Sequence, residues 1–316
     1  MKLPPEILGD ILMDIPLDES VIVGPKIGED FAAIILSSGE YLVIHSDPIT
    51  GATKYIGWYS VIVPSNDVAT SGAIPKWILV NIMAPSEDAA VVVLRDVVEY
   101  SKKLNISLIG GHTEITPGID RPIVSSTSLG ISRRIIKTSG AKVGDAVVIT
   151  KGAGIEGTAI IANDFEELCL KKGISEDTLK SAKKMLWDIS ILKEAKIASK
   201  YAHSMHDATE GGLLGALLEI SIASRKIIRI TEEIPVREAT REICEVLGLD
   251  PLKLISSGTL VFTVDKELAD EVIDEINSAG IEAYQIGVVE GEGVGVVLDE
   301  EIIREYQGEE LDKLFK

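Results

Sequence analysis

Ile106-Ser-Leu-Ile-Gly-Gly-His-Thr-Glu114 is a short apolar run that passes into two glycines and closes on an acid. Ile106 to Ile109 read as a strand, and Gly110-Gly111 mark its end. Paired glycines at a strand end let the main chain approach a ligand closely, and successive N–H groups there can cradle phosphate oxygens. In that setting His112 donates to a phosphate oxygen and is the first choice for a catalytic group, Thr113 lines the same loop, and Glu114 reaches a divalent cation. The competing reading is a glycine turn with solvated polar neighbours.

Further acids stand beside glycine or at the end of an apolar run: Gly28-Glu29-Asp30, Ser46-Asp47-Pro48, Ser65-Asn66-Asp67 and His206-Asp207-Ala-Thr-Glu-Gly211-Gly212. Magnesium takes a few carboxylates together with substrate phosphates and water, so Asp30, Asp47 and Asp67 from separate loops suit it. Each alone reads equally well as a turn or helix cap. Their joint occurrence with the glycine loop favours an ion that carries a polyphosphate, with Asp207 facing it from the second half. His45 and His203 have no partner evident in the sequence and read as structural or exposed.

The 316 residues suit about two domains, and a 46% hydrophobic share describes a globular chain. Fifty acids against 31 basic residues give a net charge of −19, which repels duplex nucleic acid and anionic membranes alike. Arg133-Arg134-Ile-Ile-Lys137 is too short a basic cluster to reverse that field. No run approaches the roughly 18 apolar residues of a membrane span, and no secretory signal is visible, so a cytoplasmic protein is expected. Cys169 and Cys244 lie far apart and outside any CxxC pair, which argues against a disulfide or zinc site.

Helical spacing is expected over residues 3–12, 54–71 and 87–104, with Pro64 breaking or kinking the second. Phe31–Leu36, Tyr41–His45, Trp77–Met83 and Ile123–Ile131 read as strands. The polar segment Thr138-Ser-Gly-Ala-Lys-Val-Gly-Asp145 divides the chain into domains of residues 1–138 and 139–316. Beyond it Ala146–Thr150, Ile227–Ile230, Thr259–Val264 and Gly293–Leu298 read as strands. Helices are expected over much of 155–200 and over 212–224, 236–247 and 266–279. The alternation gives an α/β or α+β fold.

Gly152-Ala-Gly154-Ile-Glu-Gly157 matches GxGxxG but is not followed by the second strand and acid of a dinucleotide fold, so it reads as a tight strand-to-helix turn. No GxxxxGK[ST] element occurs.

Taken together, Gly28-Glu-Asp-Phe-Ala-Ala33, Ser46-Asp-Pro-Ile-Thr-Gly51, Ile56-Gly-Trp-Tyr59, Asn66-Asp-Val-Ala69, Gly110-Gly-His-Thr-Glu114 and Pro117-Gly-Ile-Asp-Arg-Pro122 resemble the AIR synthase-like superfamily. Gly144-Asp145, His206-Asp-Ala-Thr209 and Cys244-Glu-Val-Leu-Gly-Leu-Asp-Pro-Leu252 look most like its hydrogenase-maturation branch, HypE. The resemblance implies two α/β (α+β) domains, the first pairing with its twin in a β-barrel-like homodimer interface. It implies ATP and Mg2+ between the domains, with Asp30, Asp47, Asp67 and Glu114 on metal. Asn66, Gly110, Gly111, His112, Thr113 and Asp207 would lie on the nucleotide phosphates. The activity implied is ATP hydrolysis or γ-phosphoryl transfer to an oxygen of a small, amide-like acceptor. A non-catalytic accessory protein that binds a maturation-protein partner is the alternative. Two departures bear on the choice: the chain ends Glu310-Leu-Asp-Lys-Leu-Phe-Lys316 where that branch has a cysteine, and Ser256-Ser257-Gly258 stands where it has Ser-Glu-Gly, removing a carboxylate base.

Overall fold

The computed structural model describes residues 11–12, 15–49, 52–306 and 308–315. The helix expected over residues 3–12 lies outside the described residues except for Ile11 and Leu12, as do Thr50 and Gly51 of the second acidic motif.

The first half runs β1 (Val21–Val23), β2 (Ala32–Ile35), β3 (Tyr41–Ile49), α1 (Ile56–Thr70), β4 (Ile74–Ala84), α2 (Glu87–Leu104), β5 (Ser107–Ile115) and β6 (Ile123–Ser132). Its strands form one open sheet in the order β1-β2-β3-β6-β4-β5. Pairing is antiparallel except between β4 and β5, which α2 joins as a parallel crossover.

The second half holds β7 (Ala146–Thr150), α3 (Ile155–Asp164), α4 (Glu166–Lys171), α5 (Glu176–Lys184), α6 (Leu192–Ala198), β8 (Ser204–Asp207), α7 (Gly212–Ser224), β9 (Lys226–Ile230) and α8 (Glu238–Leu247). It continues with β10 (Leu260–Val264), α9 (Ala269–Ser278), β11 (Ala283–Glu292), β12 (Gly295–Leu298) and β13 (Glu301–Ile303). The second sheet has the order β13-β12-β9-β11-β7-β10-β8, and only β12 with β9 is parallel. This is the mixed α/β architecture that the alternation implied. Ser-Met-His-Asp offers one apolar residue in four and carries no strand pattern; β8 is a strand because it pairs with β10. β1, β11 and β13 are likewise strands beyond those expected.

All fifteen residues of α1 are buried, which an apolar helix without a polar stripe requires. It continues through Pro64, so the proline does not break it. Packing on both sides holds it: Ile56, Tyr59 and Ile62 share one apolar core with Ile78 and Ile82 of β4 and with Ile155, Leu186 and Ile189 of the second half. Each such side chain contributes about 1.5–3 kcal/mol on burial. Trp58 Nε1 donates to Leu186 O at 2.9 Å, tying the halves together.

Gly110-Gly111 does not end a strand; β5 runs straight through both glycines. Gly111 has φ +143°, and a Cβ there would meet Val80 O at 1.8 Å, so glycine is needed for the close approach of β5 to β4. β5 forms one edge of its sheet and, Leu108 apart, is exposed along its length.

Candidate metal centre

Gly28 has φ +82°, and a Cβ there would come within 3.0 Å of Glu219 O on α7. Its absence lets the loop before β2 lie against the second half. Glu29 then accepts from Thr138 N (3.0 Å) and Ser139 Oγ (2.5 Å), while Asp30 meets His206 Nδ1 at 2.6 Å. The other ring nitrogen of His206 lies 2.8 Å from Glu219 Oε2. His206 is fully enclosed. Burial alone would lower its pKa, but Asp30 and Glu219 outweigh that and hold it well above the ordinary histidine value.

Asp67 is 5% exposed on α1 and Asp207 is 1% exposed at the end of β8. Oxygens of Asp30, Asp67 and Asp207 lie within 4.8 Å of one another, although the residues come from a loop, a helix and a strand of both halves. Alternation along β3 puts His45 and Asp47 on one face. His45 Nε2 lies 3.6 Å from Asp47 Oδ1 and 3.6 Å from Asp67 Oδ2, making a second cluster that shares Asp67 with the first. His45 therefore has the partners that the sequence did not reveal. Burial opposes its charge, yet Asp47, Asp30 and Asp207 raise its pKa.

Neither carboxylate oxygen of Asp207 has a hydrogen-bond partner among the described residues. Burial first, then repulsion from Asp67 and Asp30, pushes the Asp207 carboxyl well above the ordinary range. Such a group is costly unless a proton or a cation compensates it. Three converging carboxylates without a thiol are the donor set of a hard divalent cation.

The remaining expected site residues lie elsewhere. Asn66 is fully buried and bridges the halves: its Nδ2 donates to Ile189 O (2.9 Å) and its Oδ1 accepts from Ile191 N (3.1 Å). Gly110, Gly111, His112, Thr113 and Glu114 all lie on exposed β5, outside both carboxylate clusters. His112 Nε2 is 3.3 Å from Glu114, which also accepts from Thr116 Oγ1 at 2.8 Å. His203, too, has a partner, Asp145, at 2.9 Å. Glu219 was not singled out in the sequence; the available signal was a lone acid in the otherwise apolar α7.

The GxGxxG turn is filled from within. Ser256 Oγ accepts from Gly154 N (2.8 Å) and Ile155 N (3.2 Å), and Gly157 N donates to Ile255 O (2.8 Å). A Cβ at Gly157 would meet Leu254 Cγ at 2.4 Å, so these glycines serve close packing.

Residues 28–132 match the model of the AIR synthase related protein N-terminal domain, and residues 142–300 match that of the C-terminal domain. A Methanocaldococcus jannaschii protein named for hydrogenase expression and formation is 30% identical over 258 residues, covering 77% of this chain and 73% of its own length. Carbamoyl dehydratase HypE of Escherichia coli K12 is 28% identical over 278 residues, covering 83% and 77%. Among solved structures, ThiL complexed with AMPPCP and TMP superposes with a TM-score of 0.76 at 22% identity, covering 96% of this chain and 97% of that one. HypE in the HypE–HypF complex gives 0.74 at 22% identity, covering 92% and 94%. HypE in complex with ATP gives 0.68 at 21% identity, covering 95% and 91%. These structural likenesses carry the fold. With both of its halves matched in order, the chain belongs to the AIR synthase related protein family.

Proposed function

We propose that this protein binds ATP with Mg2+ at the junction of its halves and hydrolyses it or passes the γ-phosphate to an oxygen of a small, amide-like acceptor. The carrying observation is the convergence of Asp30, Asp67 and Asp207, with both Asp207 oxygens lacking a partner among the described residues. Asp47 would extend that set toward the nucleotide tail. The bound ion would neutralise phosphate charge; the chain's own part is to position the ion and to keep Asp67 and Asp207 away from water. A relative named carbamoyl dehydratase and a neighbour solved with ATP support this reading. Asp67→Ala is expected to lower magnesium-dependent ATP turnover by at least about 10²-fold, read as phosphate release, because transfer of this kind depends on charge neutralisation. Undiminished release sinks the proposal.

The domains are proposed as residues 1–138 and 139–316, with the protein in the cytoplasm, where the free buried thiols of Cys169 and Cys244 would stay reduced. No described helix is long and apolar enough to cross a membrane. A homodimer is proposed through the first domain. The exposed edge of β5 leaves Gly110–Glu114 unpaired on one side, and a second copy there would cover it and could bring His112 and Glu114 to a nucleotide. Light scattering is expected to return the mass of two chains; a monomer at micromolar concentration excludes this arrangement.

The rival reading is a non-catalytic accessory protein that contacts a maturation partner, as the neighbour solved as a HypE–HypF complex does. Ser257 favours it, since a hydroxyl is a poor proton acceptor. Steady phosphate release with amide acceptors rejects it.

A further inference from the structure

Glu156 lies in the first turn of α3, beside the Ser256-Ser257-Gly258 loop, and is 5% exposed. Neither its Oε2 nor the Oγ of Ser257 has a hydrogen-bond partner among the described residues. The Ser257 hydroxyl and main chain nevertheless lie close enough to favour the charged carboxylate. Groups from other elements reach it electrostatically: Tyr59 of α1, Asp47 of β3 and Glu309 of the C-terminal segment. Groups from both halves of the chain therefore act on Glu156.

Its neighbours are committed elsewhere. Glu309 accepts from the N–H groups of Gly211 (2.8 Å), Ile255 (3.0 Å) and Leu311 (2.9 Å). Tyr59 is kept protonated, because burial and the adjacent Glu156 push its hydroxyl well above the usual tyrosine range. Unlike the Glu309 carboxylate, Glu156 keeps an oxygen, Oε2, with no hydrogen bond among the described residues. Burial, opposed by Ser257 and reinforced by Glu309 and Asp47, pushes its carboxyl up to about 7. A group so poised exchanges a proton at neutral pH.

We propose that Glu156 is a catalytic residue that takes the proton of the phosphoryl acceptor, supplying from α3 the carboxylate that Ser257 does not. The inference rests on the ATP-dependent reading above. In the step, a bond forms between the acceptor oxygen and the γ-phosphorus, and the bond from that phosphorus to the β,γ-bridging oxygen breaks. ADP leaves with the electron pair, and the acceptor's O–H or amide N–H proton passes to Glu156. The acceptor class follows from the same surroundings. Asp47, Glu156 and Glu309 would repel an anion at the reacting end, so that end is an uncharged hydroxyl or amide.

Glu156→Gln keeps the shape and removes the proton acceptor, and Glu156→Asp keeps the acid on a shorter stem. Binding of Mg·ATP is measured by calorimetry, and phosphate release is measured against pH with water and a primary carboxamide as acceptors. The expected result is unchanged nucleotide affinity and unchanged or higher thermal stability for Glu156→Gln, since it relieves a buried, incompletely bonded acid. Its turnover falls by about 10²- to 10⁴-fold. The rise of wild-type rate through neutral pH disappears in Glu156→Gln and returns in part in Glu156→Asp. Turnover and pH profile like wild type in Glu156→Gln overturn the assignment while leaving the ATP reading intact. Parallel loss of folding and nucleotide binding in both variants overturns it in favour of a structural role, as does Mg·ATP binding without any phosphate release in wild type. Failure of wild type to bind Mg·ATP removes the underlying reading itself.

Discussion

Asp207→Asn is expected to stabilise the metal-free protein and at the same time to abolish its response to Mg·ATP. In the native state the Asp207 carboxyl is enclosed, has no hydrogen-bond partner among the described residues and faces Asp67 and Asp30. Asparagine fills the same space without the charge, so it removes the cost of ionising an enclosed, unpaired acid beside Asp67 and Asp30. The effect depends on pH in a defined direction. The native pKa is raised above the ordinary 3.8, so the folded protein retains a proton that the unfolded chain releases. Stability from this group is complete below that value and is lost as pH rises toward the raised native pKa. The advantage of Asp207→Asn therefore widens from about pH 4 upward. Thermal unfolding in EDTA across that range measures it. Saturating Mg·ATP at a hundred times its dissociation constant would stabilise wild type by about 2.7 kcal/mol. The variant is expected to show none of that gain. Equal stability of the two proteins at every pH, or a full nucleotide shift in the variant, contradicts the assignment.

His206→Ala is expected to destabilise the protein by about 3–5 kcal/mol, the cost of removing one member of a buried ionic network. The imidazole stands between Asp30 at 2.6 Å and Glu219 at 2.8 Å, and without it two carboxylates face one another across a cavity. Here too the folded pKa is raised, above the ordinary 6.5. The stabilisation is fully present below that value and fades as pH rises through the native pKa, so the penalty is greatest in mildly acidic solution. Urea unfolding at two pH values tests this, and a loss below about 1 kcal/mol at both would mean that the network carries little. Asp30 is then a doubly employed residue. It anchors the loop before β2 to the second half through His206, and it presents an oxygen to Asp67 and Asp207.

The two variants separate what a conventional stability argument would merge. Asp207 is a place where the fold tolerates an unfavourable charge, which is common where function requires a site that water alone does not satisfy. His206 is a place where burial is compensated by partners. Their opposite expected signs come from one count of hydrogen bonds, not from their positions in the sequence, which are adjacent.

Much of this was legible in the chain itself. The acids Asp30, Asp47, Asp67 and Asp207 stood out because each broke an apolar or glycine context, and the order of the motifs identified the family. The alternation of apolar runs also announced two mixed layers. The glycine-rich stretch was legible as a close backbone approach, and within one chain Gly111 makes that approach to Val80 of the neighbouring strand. Asn66 was singled out as a ligand and proves to be a clamp on the main chain at Ile189 and Ile191.

What the linear pattern determined was composition by region: which segments are apolar enough to be enclosed, and which acids are placed where enclosure will be costly. Tertiary structure alone decided which of those acids meet. Asp30 and Asp207 are 177 residues apart and share a cluster only because a glycine lets one loop rest on α7 while β8 pairs along β10. Periodicity is a local property of a few neighbouring residues. Electrostatic convergence depends on distances through space that no local spacing records, so His45, Glu219 and Glu156 acquired their meaning only once the two halves were packed together.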